Sequence, residues 1–144
     1  MKRVLTILTI SVLVLTAQAK VRLPHIISDN MVLQQQTDVR LWGWAKPGKT
    51  VKVTTSWNET ATAQTGKDGK WLVKVRTPQA SYAPLSVTFD DGEPFTIHNV
   101  VAGEVWVCAG QSNMEMPVKG FGQCPVVNYN MEVINAAGPC QVRS

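Results

Sequence analysis

Short runs that alternate apolar and polar residues, separated by residues typical of turns, fill the sequence over residues 20–101. Alternation with a period of two is the pattern of a strand with one buried face. The proline and glycine in residues 46–49 and the Asp-Gly pair in residues 67–70 predict chain reversals between such strands. A third turn, residues 90–94, precedes the last run. We expect a mainly β fold, with an antiparallel β-sandwich over residues 20–101.

Two facing sheets enclose a core only if each strand has one apolar face. The predicted core consists of the inward residues of the alternating runs: Val39, Leu41, Val51, Val53, Trp71, Val73, Val75, Val87, Phe89 and Ile97. Burying each large apolar side chain contributes roughly 1.5–3 kcal/mol. Trp42, Trp44 and Trp57 fall outside this set. They either cover the second sheet or the domain junction, or stack on sugar rings in a glycan-binding module.

The pattern changes after residue 101. Residues 105–109, VWVCA, form a nearly continuous apolar run, which is typical of a strand with both faces buried in a parallel sheet. Residues 128–137 carry apolar side chains at spacings of three before a glycine, which predicts a short helix packed on that sheet, with Asn128 as its cap. Residues 102–144 therefore resemble the start of an α/β domain.

Ser112 lies between the predicted strand and helix, in a turn formed with Gly110, Gln111 and Asn113. Catalytic groups of α/β domains lie beyond the carboxyl ends of strands. There a serine hydroxyl can attack an ester, and its backbone N–H can stabilise the oxyanion. Gly110 lets the backbone approach a substrate closely, and Gln111 and Asn113 are assigned to positioning the turn. A serine that merely caps a turn is the other interpretation of these residues.

Two stretches carry a family resemblance. Residues 103–117, GEVWVCAGQSNMEMP, resemble the nucleophile block of the sialate O-acetylesterases, which are SGNH-type serine hydrolases. Upstream, LPHIISDNMVLQ over residues 23–34 and DGKW over residues 68–71 are similar to the β-rich N-terminal region of that family. The resemblance implies the N-terminal portion of an esterase that removes acetyl groups from sialic acids or related glycans. It further implies Ser112 as the nucleophile and no metal or organic cofactor.

The general base of the family is carried by an Asp-x-x-His segment late in the chain. No histidine follows Ser112 here, and His25 and His98 both precede it. A lone histidine in or beside a strand is more often structural than catalytic. A serine hydroxyl without a base stays protonated and is a weak nucleophile. We therefore expect a truncated SGNH-like hydrolase domain over residues 102–144 that is inactive on its own, the alternative being a non-catalytic glycan-binding module.

Residues 1–19 combine two basic residues, an apolar run and small residues at the end, which predicts a signal peptide and a secreted or periplasmic protein. The apolar run is too short for a stable membrane anchor. Its removal takes two of the 14 basic residues and none of the 10 acidic ones, so the net charge falls to +2 and predicts no nucleic-acid partner. Three cysteines, Cys108, Cys124 and Cys140, allow at most one internal disulfide, of unassigned pairing.

Overall fold

The computed structural model describes residues 20–137 and Arg143. Its first part contains the strands β1 (Val32–Gln34), β2 (Asp38–Trp44), β3 (Thr50–Thr55), β4 (Thr60–Gln64), β5 (Lys70–Arg76), β6 (Ser81–Asp90) and β7 (Phe95–Gly103). Shorter elements follow: α1 (Ser112–Glu115), β8 (Gly120–Phe121), β9 (Cys124–Pro125) and α2 (Tyr129–Ala136). The described residues are thus mainly β, as the alternation predicts. The predicted signal peptide, Gly138 and Cys140 lie outside the described residues.

Strands β1–β7 are distributed over two sheets. The larger has the order β1-β7-β6-β3-β4, and β2 and β5 form the smaller one. Neighbouring strands run antiparallel except β1, which is parallel to β7 with Gln34 opposite Gly103. β2 and β5 pair along their whole length, with Gly43 opposite Trp71. The reversal predicted at residues 90–94 is confirmed, because it joins the paired strands β6 and β7.

Two other predicted reversals connect different sheets instead of paired strands. The predicted turn at residues 46–49 leads from β2 to β3, and the predicted turn at residues 67–70 lies between β4 and β5, whose first residue is Lys70. Gly48 and Gly69 have left-handed φ values of 77° and 76°, which glycine adopts without a steric penalty. The turn chemistry is therefore confirmed, but the hairpin expected around the Asp-Gly pair is wrong. A local turn signal shows that the chain reverses, but it does not specify which strands pair with each other.

Apolar side chains from both sheets share one core. Leu41, Trp71, Val73 and Val75 of the smaller sheet pack in the same cluster as Val51, Val53, Val87, Phe89 and Ile97 of the larger one. These nine predicted core residues are buried, and the tenth, Val39, is half-buried. The cluster also contains Val21, Ile27 and Val100, which the alternation did not identify.

The residues after β7 depart from the predicted α/β pattern. Residues 104–111 form no strand, and the side chains of Trp106 and Val107 are 82% and 92% exposed. The predicted buried strand at residues 105–109 is wrong, because no strand of the described part lies alongside it to complete its backbone hydrogen bonds. The predicted helix exists as α2. It has no buried residue, and the Asn128 side chain makes no capping bond, so the expected packing and cap are wrong.

Candidate active site

Ser112 is the first residue of the one-turn helix α1, and its side chain is exposed. Gln111 precedes it with φ −104° and ψ −118°. The turn is closed by the Met114 N–H, which donates to the Gln111 carbonyl, and the Met116 N–H, which donates to the Ser112 carbonyl, both at 3.0 Å. Among the backbone groups of residues 20–137, none accepts a hydrogen bond from the Ser112 N–H. The exposed residue and its unpaired backbone N–H lie at the start of α1, where a ligand can approach.

The other predicted site residues lie in the same turn. Gly110 and Gln111 are exposed, and Asn113 is the second residue of α1. A Cβ atom at Gly110 would come within 3.2 Å of the Cγ of Met114, an exposed residue. The four residues thus belong to one turn, in which Gly110, Gln111 and Ser112 are exposed, and their catalytic roles stay predictions.

No general base contacts Ser112 in the described part of the chain. His25 lies before β1 and His98 lies in β7, and both are exposed. The His98 backbone N–H donates to Asp29 Oδ1 at 2.7 Å, which fixes the strand rather than the imidazole. The described residues contain no group of three or more His, Cys, Asp and Glu side chains placed to bind a metal ion. The turn thus offers a hydroxyl and an N–H, and neither histidine of the described residues is hydrogen-bonded to them.

The tryptophans considered for sugar stacking do not form an exposed platform. Trp42 is 38% exposed, whereas Trp44 and Trp57 are half-buried. The guanidinium of Arg22 lies 4.9 Å from the centre of the Trp44 ring. Trp57 packs against the core and donates its Nε1–H to the Arg76 carbonyl at 2.7 Å. These contacts favour a structural role for Trp44 and Trp57.

Two further features are the state of the cysteines and the length of the helices. Cys108 and Cys124 are exposed free thiols, so no disulfide joins these two residues. No helix among residues 20–137 is long and apolar enough to cross a membrane.

Gln34 and Gln35 contact the segment that leads to Ser112, and the sequence pattern did not predict this contact. The side chains of these two glutamines contact Glu104, and Gln34 also contacts the Val105 backbone. The partners are 69 to 71 residues apart in the sequence. Neither periodicity nor a local motif signals a contact over that distance.

A solved structure first defines the class of protein to which the chain is related. A carbohydrate acetylesterase from Xanthomonas citri matches with a TM-score of 0.62 and 30% sequence identity, over 69% of this chain and 23% of that one. The β-rich fold is therefore shared with an acetylesterase that acts on carbohydrates. No family model matches the chain.

Curated relatives then name the family. The sialate O-acetylesterase of Homo sapiens is 32% identical over 133 residues, which are 85% of this chain and 24% of the human protein. That of Pongo abelii is 33% identical over the same shares. The resemblance to the sialate O-acetylesterase family is thus confirmed. The chain spans about a quarter of the length of these relatives.

Proposed function

We propose that this chain is the nucleophile-bearing, N-terminal part of an O-acetylesterase that acts on sialic acids or related glycans. The observation that carries this proposal is the exposed turn with Ser112 at the first position of α1, in a chain related to acetylesterases. An exposed hydroxyl at this place can reach the acetyl group of a bulky sugar. The relatives support the coarser conclusion of an acetylesterase-like function.

The proposed reaction is acyl transfer through Ser112. Its hydroxyl oxygen attacks the acetyl carbonyl, and a general base takes the hydroxyl proton. The backbone N–H of Ser112, which has no partner in residues 20–137, donates to the resulting oxyanion. The base then gives the proton to the sugar hydroxyl as it leaves, and water releases acetate from the acetyl-serine in the same way.

We propose that a histidine base is not supplied by these 144 residues. The two histidines of this sequence both belong to the β-rich part, where neither contacts Ser112. In a well-studied serine hydrolase, loss of the base costs roughly a millionfold in turnover, about as much as loss of the whole triad. We therefore propose that the chain alone does not hydrolyse acetyl esters.

The architecture and location follow from the same proposal. Because the two sheets share one core, residues 20–101 are assigned to a β-sandwich module, and residues 102–144 to the first part of a hydrolase domain. Residues 1–19 are assigned to export, which brings the protein to glycans outside the cytoplasm. The proposed partner is an O-acetylated sialic acid or another acetylated glycan.

A chimera tests the proposal. Residues 20–137 of this chain replace the matching part of human sialate O-acetylesterase, and circular dichroism verifies that the product is folded. We expect release of acetate from O-acetylated sialic acid, which Ser112→Ala lowers by about 10⁴-fold or more. The matched control is Ser81→Ala, an exposed serine of β6. If the folded chimera hydrolyses the ester equally fast after Ser112→Ala, the assignment of Ser112 as the nucleophile is refuted.

The isolated chain provides the second arm. With an acetyl-ester reporter, we expect equal rates for the wild type and for Ser112→Ala. Hydrolysis that depends on Ser112 would show that the chain supplies its own base and would overturn the proposed inactivity.

A further inference from the structure

The carboxylate of Glu104, the first residue after β7, is held on both oxygens. The Gln34 Nε2 donates to Oε2 at 2.8 Å, and the Gln35 Nε2 donates to Oε1 at 2.6 Å. These two hydrogen bonds lower the pKa of Glu104, because each donor stabilises the ionised carboxylate. Glu104 is therefore an anion at neutral pH that receives one amide donor on each oxygen.

The same two glutamines also bind backbone groups with their side-chain oxygens. Gln34 Oε1 accepts the Val105 N–H at 2.9 Å, and Gln35 Oε1 accepts the Ala80 N–H at 2.7 Å. Each amide is thus used as a donor and as an acceptor. We call Gln34, Gln35 and Glu104 the amide–carboxylate cluster.

The amide–carboxylate cluster is attached to the β-rich part through backbone contacts. Gln34 ends β1 and lies opposite Gly103 of β7, and the Gln35 N–H donates to the Gly103 carbonyl at 2.8 Å. The hydroxyl of the buried Thr77 donates to the Gln34 carbonyl at 2.7 Å. The cluster is therefore anchored to the edge of the larger sheet, where β1 pairs with β7.

The segment that leads from this cluster to Ser112, residues 105–111, makes few contacts with the β-rich part. Among the described residues, the bond from the Val105 N–H to Gln34 is the only hydrogen bond between residues 105–111 and the β-rich part. This segment forms no strand, and its side chains are exposed. The hydrogen bonds of the amide–carboxylate cluster therefore fix the point from which this segment leaves the β-rich part.

We propose that Glu104, held by Gln34 and Gln35, is a positioning residue that fixes where the β-rich part places Ser112. The placement matters because a reacting group displaced by about 1 Å can lose a hundredfold in rate. The link to catalysis rests on the proposed role of Ser112, whereas the placement itself is a property of the chain alone. Glu104→Gln keeps the size of the side chain but replaces one carboxylate oxygen with an NH2 group. This group cannot accept a hydrogen bond from the Nε2 of Gln34 or Gln35, so one of the two bonds is lost.

Distances between two spin labels, measured by pulsed electron paramagnetic resonance on the full chain, test the placement. Ser112→Cys and Lys52→Cys carry nitroxide labels, and the three native cysteines are replaced by serine. Lys52 is an exposed residue of β3, in the larger sheet. We expect Glu104→Gln to broaden the distance distribution about twofold or more. Glu93→Gln makes the same chemical change in the exposed turn between β6 and β7 and should leave the distribution unchanged.

The thermal midpoint of each variant separates placement from stability. We expect Glu104→Gln to broaden the distribution while its midpoint stays within a few degrees of that of Glu93→Gln. An unchanged distribution in Glu104→Gln, or equal broadening in both variants, would overturn the proposal. Because no substrate is used, a chimera that fails to hydrolyse esters would count against the proposed function and leave this result standing.

Discussion

Phe89 provides a direct test of the core that joins the two sheets. Its side chain is fully buried in β6 of the larger sheet, and its ring centre lies 5.7 Å from that of Trp71 in β5 of the smaller sheet. The two ring planes are inclined by 48°. Phe89→Ala removes this contact and leaves a cavity between the sheets.

The expected loss follows from that geometry. Truncating a buried phenylalanine to alanine costs about 3–5 kcal/mol, because apolar area is lost and the cavity closes only in part. The aromatic pair accounts for about 0.5–1.5 kcal/mol of this loss. A domain of this size loses about 4 °C per kcal/mol. The thermal midpoint should therefore fall by about 12–20 °C.

Urea unfolding, followed by far-ultraviolet circular dichroism and by tryptophan fluorescence, measures the loss. The control is Tyr82→Ala on the same strand, where the side chain is 78% exposed and the change should stay within about 0.5 kcal/mol. Both probes should report one transition, since Trp71 and Phe89 belong to one core. A loss below about 1 kcal/mol for Phe89→Ala, or two separate transitions in the wild type, would refute the shared core.

Three further changes probe the packing and the polar contacts. Gly43→Ala brings a Cβ into steric conflict with the Arg22 carbonyl oxygen, so we expect a loss of about 1–3 kcal/mol in urea unfolding, whereas Gly122→Ala meets no atom within 4 Å and should change little. Thr77→Val removes a buried hydroxyl that donates to a main-chain carbonyl, and unfolding should show a loss of about 1–3 kcal/mol that Thr77→Ser recovers in part. The lowered pKa of Glu104 means that its contribution is fully present above the usual pKa of a glutamate and is lost as the pH falls through the lowered value. Urea midpoints of the wild type and Glu104→Gln should therefore converge as the pH is lowered through the acidic range, and a gap that stays constant with pH would contradict this assignment.

Local pattern predicted the strands and the core well. Along β3 and β5, strict alternation identifies the buried residues, because successive side chains of a strand point to opposite faces. Val21 and Ile27 escaped prediction because they lie in a segment without regular alternation, where burial depends on what packs above it. Strand pairing also escaped prediction, since β2 finds its partner in β5 rather than in its neighbour along the chain.

The candidate site was predicted in part. The motif around Ser112 indicates an exposed turn, and the structure contains one. The apolar run before it predicts a buried strand, yet in the described chain Trp106 and Val107 are exposed. A strand needs neighbours that supply hydrogen bonds and cover its faces, and no such neighbour lies alongside this run among residues 20–137.

What the sequence determines by itself is therefore local: which residues turn inward, where glycine and proline reverse the chain, and which serine begins the turn. These features depend on side-chain chemistry and on backbone angles over a few residues. Tertiary structure alone decided that β2 pairs with β5. It alone also decided that Gln34 and Gln35, at the end of β1, bind the side chain of Glu104 some 70 residues later. Such contacts depend on where the whole chain brings distant segments together, and no pattern of a few residues carries that information.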